Sequence, residues 1–263
     1  MPERPAIREA VRQAQMTLIQ ISGLARSQGH EKLDAKVQNL ANTCIVGIIF
    51  NDGFPYRCGE WEQMKLSIVN GAIANDLDYL VCLEHKTSDA YGALAKYIAP
   101  GVKEAIRCYI NLPRSSDVDL FLCPPGGKQL FVSVPKALFL FSVRFLPSAD
   151  VKPTVNLLRK KFHTKLIKKT YTEQKCFEWM QRIDGHTENV ARKHYVLLEP
   201  EDDAKLAKAL VGEVLGETVS WPQCAELQTP DEVSEVLCIM VDLRPLSILE
   251  IFKSIWFSIA CFS

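Results

Sequence analysis

The sequence predicts a mainly α-helical fold with one small antiparallel β-sheet, which places the chain in the α+β class. Apolar residues recur at helical spacing in most segments, whereas strand-forming residues flank a turn in one stretch, from Tyr79 to Ile98. A length of 263 residues with 48% hydrophobic and 24% charged residues is ordinary for a folded, soluble protein. A chain of this length can bury a sizeable core.

The N-terminal part is predicted to contain three helices. Residues from Pro5 to about Ala25 place their apolar side chains on one face, and residues from Glu31 to about Phe50 repeat that spacing. The second helix should end at the turn residues Asn51 to Gly53, and its apolar second half predicts a position at the centre of the core. A third helix is expected from Glu60 to Ala72.

The predicted sheet is a hairpin with Lys86 in its turn. Residues from Tyr79 to Glu84 and from Ala93 to Ile98 have the composition of short strands. A helix that begins with a proline in its first turn follows from Pro100 to Tyr109. The apolar stretch from Leu130 to Phe145 fits either a buried helix or, in its first residues, a strand.

Helices are also predicted for most of the C-terminal part. The segment from Val151 to about Lys169 has a helical pattern with basic and no acidic residues between 151 and 170. Further helices are expected over Glu178 to Ile183, Thr187 to Leu198 and Ala204 to Leu215. The apolar stretch from Leu246 to Ser263 is shorter than the roughly 20 residues of a membrane-spanning helix and contains Glu250 and Lys253. We therefore expect a packing helix or a tail of uncertain origin rather than a membrane anchor.

Charge and cysteine content narrow the functional classes. The 31 basic and 31 acidic residues cancel, so binding to nucleic acid would depend on local clusters of charge. The nine cysteines are scattered, without the spacing of a zinc site, which favours reduced thiols in an intracellular protein. The first residues lack the apolar core of a signal peptide. The sequence thus predicts neither a metal nor a cofactor.

Five residues are weak functional signals individually but give a stronger signal through their order and spacing. They are Arg57 with Glu60, Lys86 with Thr87, Arg159 three residues after Asn156, His186 after Gly185, and Tyr195 nine residues after His186. In this order and spacing, roughly from Glu31 to Glu199, the chain resembles the catalytic domain of the tyrosine recombinases, also called phage integrases. The segments around Lys86 and before Tyr195 are more similar to recombinases of eukaryotic mobile elements, such as Cryptons or the DIRS group.

The resemblance implies a fold, an activity and a set of functional residues. It implies the tyrosine recombinase catalytic-domain fold and cleavage and rejoining of DNA through a 3′-phosphotyrosine intermediate. Arg57, Lys86, Arg159, His186 and Tyr195 would be catalytic, supported by Glu60 and Asn156. The partners would be double-stranded DNA and further copies of the chain on that DNA, without a membrane, in the nucleus.

Local charge and chain organisation extend these expectations. The lysines that follow Arg159 would contact the DNA backbone, although a solvated helix face has the same composition; they are Lys160, Lys161, Lys165, Lys168 and Lys169. Residues 1–30 are expected to be a helical remnant of a DNA-clamping arm, 31–216 the catalytic domain and 217–263 a C-terminal extension.

One position departs from the family pattern. The family places a histidine three residues before its second arginine, whereas this chain has Asn156, which can donate a hydrogen bond to a phosphate oxygen but cannot shuttle a proton. A degenerate or domesticated copy that binds DNA without cutting it is therefore the alternative hypothesis. A third is a partner-binding module that has lost both properties.

Overall fold

The computed structural model describes residues 4–27, 31–53, 56–82, 94–114, 116–127, 131–149 and 152–159, together with 162, 208, 209, 211 and 212. This part of the chain is mainly helical and carries one two-stranded antiparallel sheet, so the predicted α+β class is confirmed. The finer prediction of a recombinase fold stays a prediction.

Two long helices open the chain and pack against each other. Helix α1 spans Arg4–Ser27 and α2 spans Ala35–Asp52, close to the predicted bounds. The Asp34 carboxylate accepts the Lys36 N–H at 2.8 Å and so caps the N-terminus of α2. At the other end of α2, the Arg4 guanidinium donates to the Asn51 carbonyl at 3.0 Å and pairs with the buried Asp52. Since α2 is buried on nearly all sides from Leu40 onward, it is the central helix of the core, as predicted.

The predicted third helix is in fact two helices. Helix α3 spans Cys58–Glu62 and α4 spans Leu66–Ala74, so the expectation of one helix from Glu60 to Ala72 is wrong. Tertiary contacts cause the break. The Met64 carbonyl accepts the Phe121 N–H at 2.7 Å, and the Asp119 carboxylate accepts both the N–H and the hydroxyl of Ser67 at 3.0 Å. These contacts hold the connection in place and cap the first turn of α4.

The two predicted strands are present. Strand β1 spans Tyr79–Cys82 and β2 spans Leu94–Tyr97, and they pair antiparallel with Tyr79 opposite Tyr97 and Cys82 opposite Leu94. The following helix α5 spans Pro100–Ile110 with its proline in the first turn, as expected. Residues 83–93, between the two strands, lie outside the described part of the chain.

The ambiguous apolar stretch is a helix. Helix α6 spans Val134–Phe145 and packs against α2 at the point where Gly47 faces the ring of Phe141. The N-terminus of α6 is capped by the Glu62 carboxylate, which accepts the Val134 N–H at 2.9 Å. The described residues between α5 and α6, 111–114, 116–127 and 131–133, are irregular except for a short 3₁₀ turn at Pro125–Gly127.

A buried polar cluster fastens the irregular segment to α2 and α5. The Tyr109 hydroxyl donates to the Asn42 side chain and accepts the Cys123 N–H at 2.9 Å. The Asn42 amide donates to the Cys123 carbonyl at 2.8 Å, and the Gln38 amide also reaches Asn42. The Tyr109 phenol on α5 thereby joins α2 to the irregular segment at Cys123.

The chain separates into two compact units, Met1–Glu226 and Leu227–Ser263, and the second unit lies outside the described residues. In the first unit, residues 208, 209, 211 and 212 are helical, Val211 is buried, and the Lys208 ammonium lies 3.6 Å from the Asp78 carboxylate. The predicted division at residues 30 and 216 stays a prediction. No helix in the described ranges combines the length and the apolar character needed to cross a membrane.

Candidate phosphate-binding site

Arg57 lies at the start of α3, where the backbone turns from an extended conformation into the helix. Its φ and ψ are −71° and 145°, and its side chain is half-buried. The Arg57 N–H donates to the Glu60 carboxylate at 3.1 Å, so Glu60 caps the helix from within its first turn. The sequence-predicted pair of Arg57 and Glu60 is thus joined by a hydrogen bond that fixes the backbone at Arg57.

The carboxylate of Glu60 has a second partner, Lys96 on β2. The Lys96 ammonium lies 3.0 Å from Glu60 Oε2, the oxygen that also accepts the Arg57 N–H. Both side chains are buried, with Lys96 1% exposed and Glu60 5% exposed. A buried charge is tolerated only when it is paired, so this ion pair is an integral part of the local structure.

Tyr56 connects the same two segments a second time. Its ring lies under the Lys96 ammonium, which is 4.4 Å from the ring centroid, and its hydroxyl accepts the Tyr97 N–H at 2.8 Å. A cation over an aromatic face is attracted by the ring quadrupole. Strand β2 therefore contacts the residue before Arg57 as well as the glutamate that follows it.

Arg159, about a hundred positions further along the sequence, lies near the same segment. The charge of its guanidinium acts on the Cys58 thiol, the residue directly after Arg57. Burial raises the pKa of the Cys58 thiol, Glu62 raises it further, and Arg159 opposes these effects. Arg159 therefore lies within electrostatic reach of the residue that follows Arg57.

Arg159 belongs to a short helical stretch at 155–159. Val155 and Leu158 are buried and hold this stretch against the protein, whereas Asn156 is exposed and Arg159 is half-buried. Because residues three apart on a helix lie on neighbouring turns, Asn156 and Arg159 are next to each other on the helix surface. The helix predicted from Val151 thus begins at residue 155 in the described part of the chain.

Lys86, His186 and Tyr195 lie outside the described residues, as do the basic residues predicted to contact DNA, Lys160, Lys161, Lys165, Lys168 and Lys169. Their positions relative to Arg57 and Arg159 stay predictions.

Lys96 is the residue that the sequence analysis missed. A single lysine in a short strand is normally solvated, so it gave no reason for attention. Its sequence context held a signal, because Lys96 is the one charged residue in the run Leu94 to Ala99. A charged residue inside an apolar strand requires a buried partner, and the preceding helix start supplies one in Glu60.

The described part of the site is chemically suited to an anion. Arg57 and Arg159 are half-buried residues whose guanidinium groups have the planar geometry that suits phosphate oxygens, and the buried Glu60 is paired with Lys96. The five described cysteines are free thiols, and no metal-holding group of His, Cys, Asp and Glu occurs in the described ranges. Comparison with models of protein families, with curated proteins and with solved structures finds no match to this chain.

Proposed function

We propose that the chain breaks and rejoins DNA strands by the chemistry of the tyrosine recombinases and shares their catalytic-domain fold. Arg57 and Arg159 bind the non-bridging oxygens of the scissile phosphate, whose charge density rises in the transition state. His186 donates a further hydrogen bond to the same phosphate.

The reaction is an in-line exchange of one phosphate ester for another. The phenolic oxygen of Tyr195 gives its proton to solvent water and forms a bond to phosphorus, and the bond from phosphorus to the 5′ oxygen breaks. Lys86 donates a proton to the departing 5′ oxygen as a general acid, which leaves a 5′ hydroxyl. The 3′-phosphotyrosine conserves the energy of the phosphodiester, so the reverse attack by a 5′ hydroxyl reseals a strand.

One structural observation carries this proposal beyond the sequence pattern. Arg159 lowers the pKa of the thiol of Cys58, which follows Arg57 along the chain, and this influence supports assigning both arginines to one phosphate. The resemblance to the tyrosine recombinases implies that both arginines bind one phosphate.

The DNA backbone is assigned to the basic segment that follows Arg159. Its lysines are adjacent in sequence to the proposed phosphate clamp, and lysine contacts to phosphates give an affinity that falls as salt displaces them. Replacing Lys160, Lys161 and Lys165 with glutamine should lower the slope of log affinity against log salt by about 1 for each lysine that contacts a phosphate. Lys32, which pairs with Asp117 at 3.8 Å, is the control lysine.

Binding without cleavage is the second candidate, and Asn156 favours it. Asn156 is exposed on the turn before Arg159, at the position where the family pattern has a histidine. An amide there can donate a hydrogen bond to a phosphate but cannot transfer a proton at neutral pH. A protein with this site would hold DNA with the two arginines and the lysines and leave it intact.

A nicked suicide duplex separates the two candidates. Strand cleavage next to the nick releases a short fragment that diffuses away, so the covalent intermediate accumulates and migrates as a protein–DNA species under denaturing conditions. Strand breakage predicts this species for the wild type and its loss in Tyr195→Phe. Binding alone predicts salt-dependent retention of DNA that Tyr195→Phe leaves unchanged, with no covalent species. If the three lysine substitutions leave retention unchanged as well, the chain is a partner-binding module instead.

A further inference from the structure

Lys96 is the most deeply buried charged side chain among the described lysines and arginines. It is 1% exposed, and its partner Glu60 is buried with it. Lys103, the other described lysine that is buried, differs because its ammonium lies 2.9 Å from the exposed carboxylates of Asp76 and Asp78. Both Lys96 and its partner are therefore buried, whereas the partners of Lys103 lie at the protein surface.

The two contacts of Lys96 fall on either side of Arg57. On one side its ammonium lies over the ring of Tyr56, and on the other it pairs with the Glu60 carboxylate that accepts the Arg57 N–H. The Tyr97 N–H adds a hydrogen bond to the Tyr56 hydroxyl from the next residue of β2. The backbone at Arg57 is thus held between two contacts that both come from one strand.

Stability alone does not account for an ion pair at this place. Well-packed apolar side chains of similar volume often stabilise a core as much as a buried ion pair does, since both charges must give up their hydration. A site that binds a phosphate in its transition state, by contrast, depends on guanidinium groups held in position before the ligand arrives. The enclosed ion pair serves that requirement because its geometry fixes the start of α3.

We propose that Lys96 is a positioning residue for Arg57: by pairing with Glu60 and lying over Tyr56, it fixes the Arg57 backbone so that the guanidinium meets a DNA phosphate. This assignment rests on the proposed function for the identity of the ligand. The positioning itself is a property of the protein without DNA and can be measured separately.

The first measurement is amide hydrogen exchange of residues 56–60 in the free protein. In Lys96→Met, the side chain keeps its approximate length and loses its charge, so the Glu60 carboxylate is left without its cation. The double variant Lys96→Met/Glu60→Gln removes that unpaired charge and keeps an oxygen that can accept the Arg57 N–H. We expect the Arg57 N–H to exchange slowly in the wild type, about ten-fold or more faster in Lys96→Met, and at the wild-type rate in Lys103→Met, the matched control. Equal exchange in the wild type and both Lys96 variants would overturn the proposal.

The second measurement is the single-turnover rate of covalent complex formation on the nicked duplex. Lys96→Met and Arg57→Ala should each slow the reaction, the former by about ten- to a hundred-fold, because a misplaced guanidinium loses much of its effect on the transition state. Since Lys96 acts through Arg57, adding Lys96→Met to Arg57→Ala should cause little further loss, and Lys96→Arg should restore part of the rate. Full additivity of the two substitutions, or a wild-type rate in a folded Lys96→Met protein, would refute the positioning role.

The outcomes keep the two proposals apart. If the wild type forms no covalent complex, the proposed strand-breaking activity fails, and the hydrogen-exchange result alone supports or overturns the positioning by Lys96. If the wild type reacts and Lys96→Met reacts equally well, the activity stands and the positioning role fails. If Lys96→Met does not fold, Lys96→Met/Glu60→Gln and Lys96→Arg carry both measurements.

Discussion

Replacing Gly47 with alanine should destabilise the protein, because α2 passes directly over the ring of Phe141 on α6. A Cβ atom at position 47 would lie 1.9 Å from Cδ2 of that ring and 2.4 Å from its Cγ and Cε2. Ordinary contact at such a position begins near 3.4 Å, so the ring would have to retreat by about 1.5 Å. Phe141 is fully buried, and its ring centroid lies 5.1 Å from the ring centroid of Phe145, so the ring has little room to move.

Two opposing effects set the magnitude. Forcing extra volume into a packed core costs up to about 3 kcal/mol, whereas replacing glycine with alanine inside a helix contributes about 1 kcal/mol of stability. Overpacking prevails because the nearest atoms belong to one edge of a rigid ring and not to the end of a flexible chain. The net loss should be about 2 kcal/mol, which lowers Tm by about 4–8 °C for a protein of this size.

Thermal and urea unfolding of matched variants test this value. Gly71 in α4 is the control, because a Cβ atom there meets nothing within 4 Å, and Gly71→Ala should leave stability unchanged or raise it by up to about 1 kcal/mol. Adding Phe141→Leu to Gly47→Ala should recover part of the loss relative to the two single changes. A Gly47→Ala protein as stable as the wild type would show that the packing of α2 against α6 differs from that described.

Three further predictions concern hydrogen bonds and titration. Tyr109→Phe removes the phenol that donates to Asn42 and should cost about 1–3 kcal/mol in urea unfolding; no change would mean that the polar cluster adds nothing to stability. Burial raises the pKa of Tyr97 to about 12, so its protonated form favours the fold: this contribution is complete below about pH 10 and is lost as the pH rises toward 12. Phenolate absorbance should therefore show a tyrosine that titrates late and is absent in Tyr97→Phe, and identical titrations would contradict this assignment. Asp119→Ala removes the cap on Ser67 and should cost about 1 kcal/mol of thermal stability, whereas an unchanged Tm would show that α4 does not depend on it.

Local patterns predicted the elements whose causes are local. The helical spacing of apolar residues predicted α1 and α2, and the composition around residues 79–98 predicted the two strands. These predictions succeeded because burial of part of an element's surface determines which of its own residues are apolar. The break between α3 and α4 has no corresponding pattern in the local sequence. It depends on Phe121 and Asp119, which lie more than fifty positions away and hold the connection through backbone hydrogen bonds and a cap.

In the candidate site, too, the local contact was predictable from the sequence and the tertiary contacts were not. The spacing of Arg57 and Glu60 is local, and the hydrogen bond between them follows from it. The pairing of Glu60 with Lys96 is not local, because only the fold brings β2 beside the start of α3. The approach of Arg159 to Cys58 likewise depends on how the stretch at 155–159 docks, and no periodicity along the chain encodes that docking.

Identification of the amino acid that becomes linked to DNA tests the central proposal most directly. Covalent complexes trapped on the nicked duplex would be digested with nuclease and trypsin, and the peptide that retains a nucleotide would be sequenced by mass spectrometry. The proposed function predicts one modified peptide, from His194 to Lys205, with the nucleotide on Tyr195. A nucleotide on any of the other six tyrosines, or no linked peptide from a protein that binds the duplex, would contradict strand breakage through Tyr195.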